Sequence, residues 1–145
     1  MTERAQAFDA VTAELRVIGR RIKQVIAERA VAIHPQLQPA SYYLLVHVVE
    51  NGPTRGSELA CQFGIDKGAI SRQLHHLVEL GLAERMPDPE DGRAQLVSAT
   101  PEAVQLINET VAKQRKVWQE RLSEWSDEEI AGLATQLGRF NHDLG

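Results

Sequence analysis

The sequence predicts a mainly α protein carrying one small β-hairpin, in the order α-α-α-α-β-β-α-α. Three observations lead there. Apolar residues recur at helical spacing along both ends of the chain. The period shortens to that of a strand only around residues 82–99. Gly, Pro, Asn and Asp punctuate the joins between segments. At 145 residues the chain can build one substantial core, and two comfortable ones are beyond it.

The first helix is expected over residues 3–33, from the spacing of Phe8, Val11, Leu15, Ile18, Ile22, Val25 and Ile26, continuing towards Val31 and Ile33. Pro35 and Pro39 then break it. Pro39 suits the first position of a second helix, which runs to the stop at Asn51-Gly52-Pro53. A short third helix covers about 55–63 and ends at Gly64, which tolerates the left-handed conformation. Asp66 is a good N-cap for a fourth helix reaching about Leu80, with Gly81 as its stop. Leu82–Met86 and Gln95–Ala99 read as strands joined by the turn formers from Pro87 to Arg93. Thr100-Pro101 caps and opens a fifth helix to about Leu122. Ser126 with Glu129 forms a capping box for the last helix, to about Leu144.

Composition narrows the function. The net charge of −4 weighs against a uniformly basic surface. Yet Lys67, Arg72, His75 and His76 fall on one helix and Arg93 on the hairpin tip, and the local field decides phosphate binding. A single cysteine, Cys61, excludes an internal disulfide framework and fits a reducing compartment; its place on the third helix predicts inert packing. No apolar run approaches the ~20 residues of a membrane span. The charged N-terminus lacks a signal core, so a cytoplasmic location is expected, with no membrane partner.

The fourth helix carries the chemistry. Ile70, Leu74 and Leu77 form one apolar stripe, suited to packing on Leu59 and Phe63. The opposite stripe is Lys67, Ser71 and His75, flanked by Gly68 and Arg72. Arginine suits guanine edges, serine and lysine suit phosphates, and Gly68 clears the helix start for a close backbone approach. A short helix, a glycine turn, this helix and then a charged hairpin make a device for entering the major groove with a hairpin beside it.

The segment SELACQFGIDKGAISRQLHHLVELGLAERMPDPEDGRAQLVSATPEA resembles the winged helix-turn-helix of the MarR family of bacterial transcription regulators. Asp91-x-Arg93 followed by Ala99-Thr100 is similar to that family's Asp-x-Arg…Leu-Thr wing signature, with Ala99 where the family carries leucine. That departure bears on packing more than on DNA. The resemblance extends over the whole chain, long flanking helices included. It implies a DNA-binding winged helix-turn-helix lobe over residues 36–100 and a helical dimerisation region from residues 1–35 and 101–145. Lys67, Gly68, Ser71, Arg72 and His75 would then lie in the major groove and Arg93 in the minor groove. Asp91 would buttress the wing by pairing with an arginine.

The apolar stripes Phe8–Val11–Leu15–Ile18 and Ile130–Leu133–Leu137–Phe140–Leu144 either close within a single bundle or meet a second copy. The resemblance favours a two-fold homodimer, which sets two recognition helices roughly 34 Å apart and demands a pseudo-palindromic operator. It further implies a repressor released by a small aromatic or phenolic acid. Tyr42, Tyr43, His47 and Trp118 would supply its aromatic walls, and Arg16, Arg20 or Arg21 its carboxylate partner. No metal site is expected: His75 and His76 are adjacent and point to different sides of a helix. Nor is a cofactor or a catalytic constellation expected, so the chain reads as no enzyme. The alternative is a winged-helix module that binds another protein, which a salt titration separates from DNA binding.

Overall fold

Each helix of the protein begins where a cap or a proline lets it. The computed structural model describes all 145 residues, in the order α1 (Glu3–Ile33), α2 (Pro39–Asn51), β1 (Thr54–Arg55), α3 (Gly56–Phe63), α4 (Lys67–Glu79), β2 (Ala83–Pro87), β3 (Gln95–Ala99), α5 (Pro101–Arg121) and α6 (Asp127–Leu144). Thr2 caps α1 by accepting from the Ala5 amide, and Pro39 opens α2. Thr100 accepts from the Ala103 amide at 3.3 Å. Ser126 and Glu129 exchange bonds of 3.1 and 2.8 Å in a reciprocal capping box.

The mainly α plan with its hairpin holds, with one addition. Thr54 and Arg55 form a third strand, so the third helix starts at Gly56 and the order becomes α-α-β-α-α-β-β-α-α. Two residues between Pro53 and Gly56 offer no periodicity, and only their partner strand reveals them. The antiparallel sheet runs β1-β3-β2. Val97 at its centre faces Thr54 on one side and Arg85 on the other. Because β1 leads directly into α3, the sheet ties the hairpin to the helices it accompanies.

The chain packs as two compact units, Met1–Asn108 and Glu109–Gly145. In the first, Leu44 and Leu45 of α2, Leu59 of α3, Ile70 and Leu77 of α4 and Ile107 of α5 are fully buried. Burying each such side chain contributes about 1.5–3 kcal/mol. This core holds α4 against α2, α3 and β2. From α1, which packs on α2, only Ile26 and Ala30 are buried. In the second unit, α6 buries none of its residues, and Trp118 and Trp125 are exposed. No helix is long and apolar enough to cross a membrane.

Candidate nucleic-acid interface

The turn between α3 and α4 fixes how α4 is presented. Gly64 adopts φ +61°, a left-handed conformation that glycine takes without strain, and the Ile65 amide bonds back to the Ala60 carbonyl at 3.1 Å. Asp66 then caps α4, its Oδ2 accepting from the Ala69 amide at 3.2 Å. The helix that follows has two opposite faces, as the sequence requires. Ile70, Leu74 and Leu77 are buried, while Lys67, Gly68, Ser71, Arg72 and His75 are all exposed. Leu59 is buried with that inner stripe and Phe63 is half-buried.

Gly68 makes room within the protein itself. A Cβ there would stand 3.2 Å from Asp66 Oδ2 and 3.5 Å from Arg72 Nη1. The missing side chain therefore accommodates the helix cap, the tighter of the two approaches; at the Arg72 guanidinium the contact would be an ordinary one. His75 meets Glu79 one turn on, Nε2 to Oε1 3.1 Å, an exposed pair that is ionic only when the ring is protonated. His76 turns away from the polar stripe: its Nε2 donates to the Gln36 carbonyl at 3.0 Å.

The wing is held by a different acid from the one the sequence nominates. Arg55 pairs with Asp88, through both Nε and Nη2 to Oδ2, joining β1 to the end of β2. Asp91 makes no ion pair with an arginine. Its Oδ1 accepts from the backbone amide of Arg93 at 3.1 Å, and its carbonyl from the Ala94 amide at 3.0 Å, so it shapes the turn locally. Asp88, only 6 % exposed, also accepts from the Glu90 amide at 2.9 Å. That amide, followed by the Arg55 guanidinium, holds the Asp88 carboxyl below the usual carboxylate range against the opposing effect of burial. The carboxylate in turn raises the Arg55 guanidinium. Arg93 is exposed at the tip of the turn between β2 and β3. The run Asp88-Pro89-Glu90-Asp91 holds three acids within four residues, and spacing alone does not reveal which of them meets an arginine 33 residues earlier.

The residues nominated for an effector are scattered in environment. Tyr42 is buried, its ring edge-on to the exposed Tyr43 with centroids 6.3 Å apart. His47 is half-buried and packs edge-on against Phe63 at 5.5 Å. Arg16 and Trp118 are exposed, in the first and second unit respectively. Cys61 is exposed, contrary to the packing expected of it, because Leu59 and Ala60 take the inner face of α3.

An amphipathic second helix after a glycine turn, with a tethered hairpin beside it, defines a winged helix-turn-helix. Residues 36–94 match the model of the MarR family. The chain is 36% identical over 105 residues to the uncharacterized HTH-type transcriptional regulator YxaD of Bacillus subtilis (strain 168), covering 72% of this chain and 73% of that protein. The fold is shared with a MarR family protein from Bacillus stearothermophilus, at a TM-score of 0.80 and 22% identity over 99% of this chain and 98% of that one. Wild-type MarR from E. coli superimposes at a TM-score of 0.68 with 22% identity, covering 89% and 95% of the respective chains. This chain belongs to the MarR family of winged helix-turn-helix transcription regulators.

Proposed function

We propose that this regulator binds pseudo-palindromic operators as a homodimer and represses the adjoining genes. The observation that carries the proposal is the outward face of α4. Lys67, Ser71 and Arg72 stand exposed along it, opposite a fully buried stripe and beside a tethered wing with Arg93 free at its tip. In this reading α4 lies in the major groove, where Arg72 and Ser71 meet base edges and Lys67 a phosphate. Arg93 enters the minor groove, whose negative potential deepens where A·T-rich sequence narrows it.

The dimer is supported by two apolar faces left open. Phe8, Val11, Leu15 and Ile18 on α1 are 40–58 % exposed, and Ile130, Leu133 and Leu137 on α6 are 41–46 % exposed. Stripes of this kind are expected to be covered by another surface. We assign the helical segments 1–35 and 101–145 to the dimer and residues 36–100 to DNA. A small aromatic or phenolic acid is the proposed releasing effector, with Tyr43 and His47 offering rings and Arg16 a carboxylate partner.

The test is capture of genomic fragments by the purified protein at about 0.15 M salt, followed by sequencing. Enrichment of an inverted repeat near a few promoters is the expected result. No enriched sequence, from protein refolded free of small molecules, would leave the wing and α4 to a protein partner instead.

A further inference from the structure

Between α4 and the hairpin lies an open groove of about 240 Å³. Its floor is the buried trio Ile70, Leu74 and Val97, and its rim is polar. Ser57 stands on the α3 side, Lys67 and Ser71 on α4, and Arg85 and Gln95 on the hairpin. The strand register explains the last two. Arg85 pairs across from Val97 and Pro87 from Gln95, so Arg85, Val97 and Gln95 share the sheet face that turns towards α4.

The chemistry of the rim is one-sided. Two cations, two hydroxyls and an amide line it, and no acid does. Neither Lys67 nor Arg85 takes part in an ion pair, although the chain carries more acids than bases. Cations left unpaired over an apolar floor, converging on one groove, fit an oxyanion.

We infer that this groove seats a backbone phosphate of the DNA strand that separates the two grooves the protein reads, with Arg85 and Lys67 as its charge partners. The inference rests on the DNA-binding reading above. A major groove and its neighbouring minor groove are divided by a single sugar–phosphate strand. A protein with α4 in one and Arg93 in the other must let that strand cross between α4 and the hairpin, and this groove is what lies there. Ser57 and Gln95 supply neutral donors to the same phosphate or its neighbour. Arg85 is thereby a positioning residue: it sets the register of the helix on the duplex and carries no sequence information.

The experiment titrates the wild-type protein, Arg85→Ala and Arg85→Lys against a duplex recovered by genomic capture and against a random duplex, over a series of salt concentrations. Thermal unfolding midpoints of all three report that they fold. Arg85→Ala is expected to weaken binding by a similar factor on both duplexes and to lower the slope of log K against log salt by about 1.8, one phosphate contact of about 0.9 from each subunit of the dimer. Arg85→Lys should keep the wild-type slope. A neutral methylphosphonate moved along the strand should find one position that weakens the wild-type protein more than it weakens Arg85→Ala, which keeps only Lys67 as a charge partner there. An unchanged slope in Arg85→Ala, or a loss confined to the captured sequence, overturns the inference while the wild-type protein still binds DNA. A wild-type protein that binds neither duplex at any salt overturns the DNA-binding reading itself. If inorganic phosphate raises the wild-type midpoint above sodium chloride of equal ionic strength, and Arg85→Ala loses that response yet keeps full DNA affinity, the groove serves a free oxyanion and the strand assignment is wrong.

Discussion

Replacing Gly68 with alanine separates the stability of α4 from its fitness for DNA. The added methyl would stand 3.2 Å from Asp66 Oδ2, the atom that caps the Ala69 amide, and 3.5 Å from Arg72 Nη1. Alanine in place of glycine favours a helix by up to about 1 kcal/mol. Pushing Asp66 out of its capping position costs about 1 kcal/mol in the other direction. The two nearly cancel, so the unfolding midpoint should move by no more than about 4 °C for a chain of this size. DNA binding has no such compensation. In the proposed complex the methyl would stand where the duplex approaches the start of α4, beside the Arg72 guanidinium. Losing one good base contact removes about 1–3 kcal/mol, roughly fivefold to 150-fold in affinity for each half-site, and the two half-sites of a dimer multiply. Thermal unfolding and a fluorescence titration with the captured operator, run on the same preparation, measure both. Affinity within twofold of wild type would refute the close approach at Gly68. A loss of stability beyond about 3 kcal/mol would instead show that Asp66 cannot yield.

Three other perturbations probe separate parts of the molecule. Arg93→Ala should weaken binding to duplexes with A·T-rich flanks by on the order of 1–3 kcal/mol, the range for a hydrogen bond to a charged group, and leave the oligomer intact; unchanged affinity by titration would remove Arg93 from the minor groove. Asp88→Asn should lower the unfolding midpoint at neutral pH. Because the folded carboxyl lies below its unfolded value near 4, the stability it adds is full above that pH and fades as pH falls through the folded value. The gap between wild type and Asp88→Asn should therefore be flat from about pH 5 upward and close below about pH 4, and a gap that widens in acid would contradict the assignment. Leu133→Glu sets a charge in the exposed stripe of α6 and should halve the mass found by sedimentation, with a steep loss of operator affinity. A monomeric wild-type protein would end the dimer proposal.

Most of the scaffold was legible because its determinants are local. The inner stripe Ile70–Leu74–Leu77 declares α4 through its period, and Asp66, Gly64, Thr100 and Ser126 mark helix ends by bonds that span only a few residues. The polar face of α4 follows from the same arithmetic, since a helix with one buried stripe must expose the opposite one. Sequence alone thus determined the helices, the hairpin and the exposed set Lys67, Gly68, Ser71, Arg72 and His75.

Tertiary structure decided what depends on partners far along the chain. β1 exists only because β3 pairs with it. The acid that tethers the wing is Asp88 rather than Asp91, because Arg55 reaches it from 33 positions away in the chain while Asp91 is engaged by the Arg93 amide. In the sequence Arg85 is one residue of the strand expected over 82–86. The register that sets it opposite Val97 turns it towards α4 and makes it one wall of a groove. Periodicity tells which side of an element is buried; only packing tells what the other side faces.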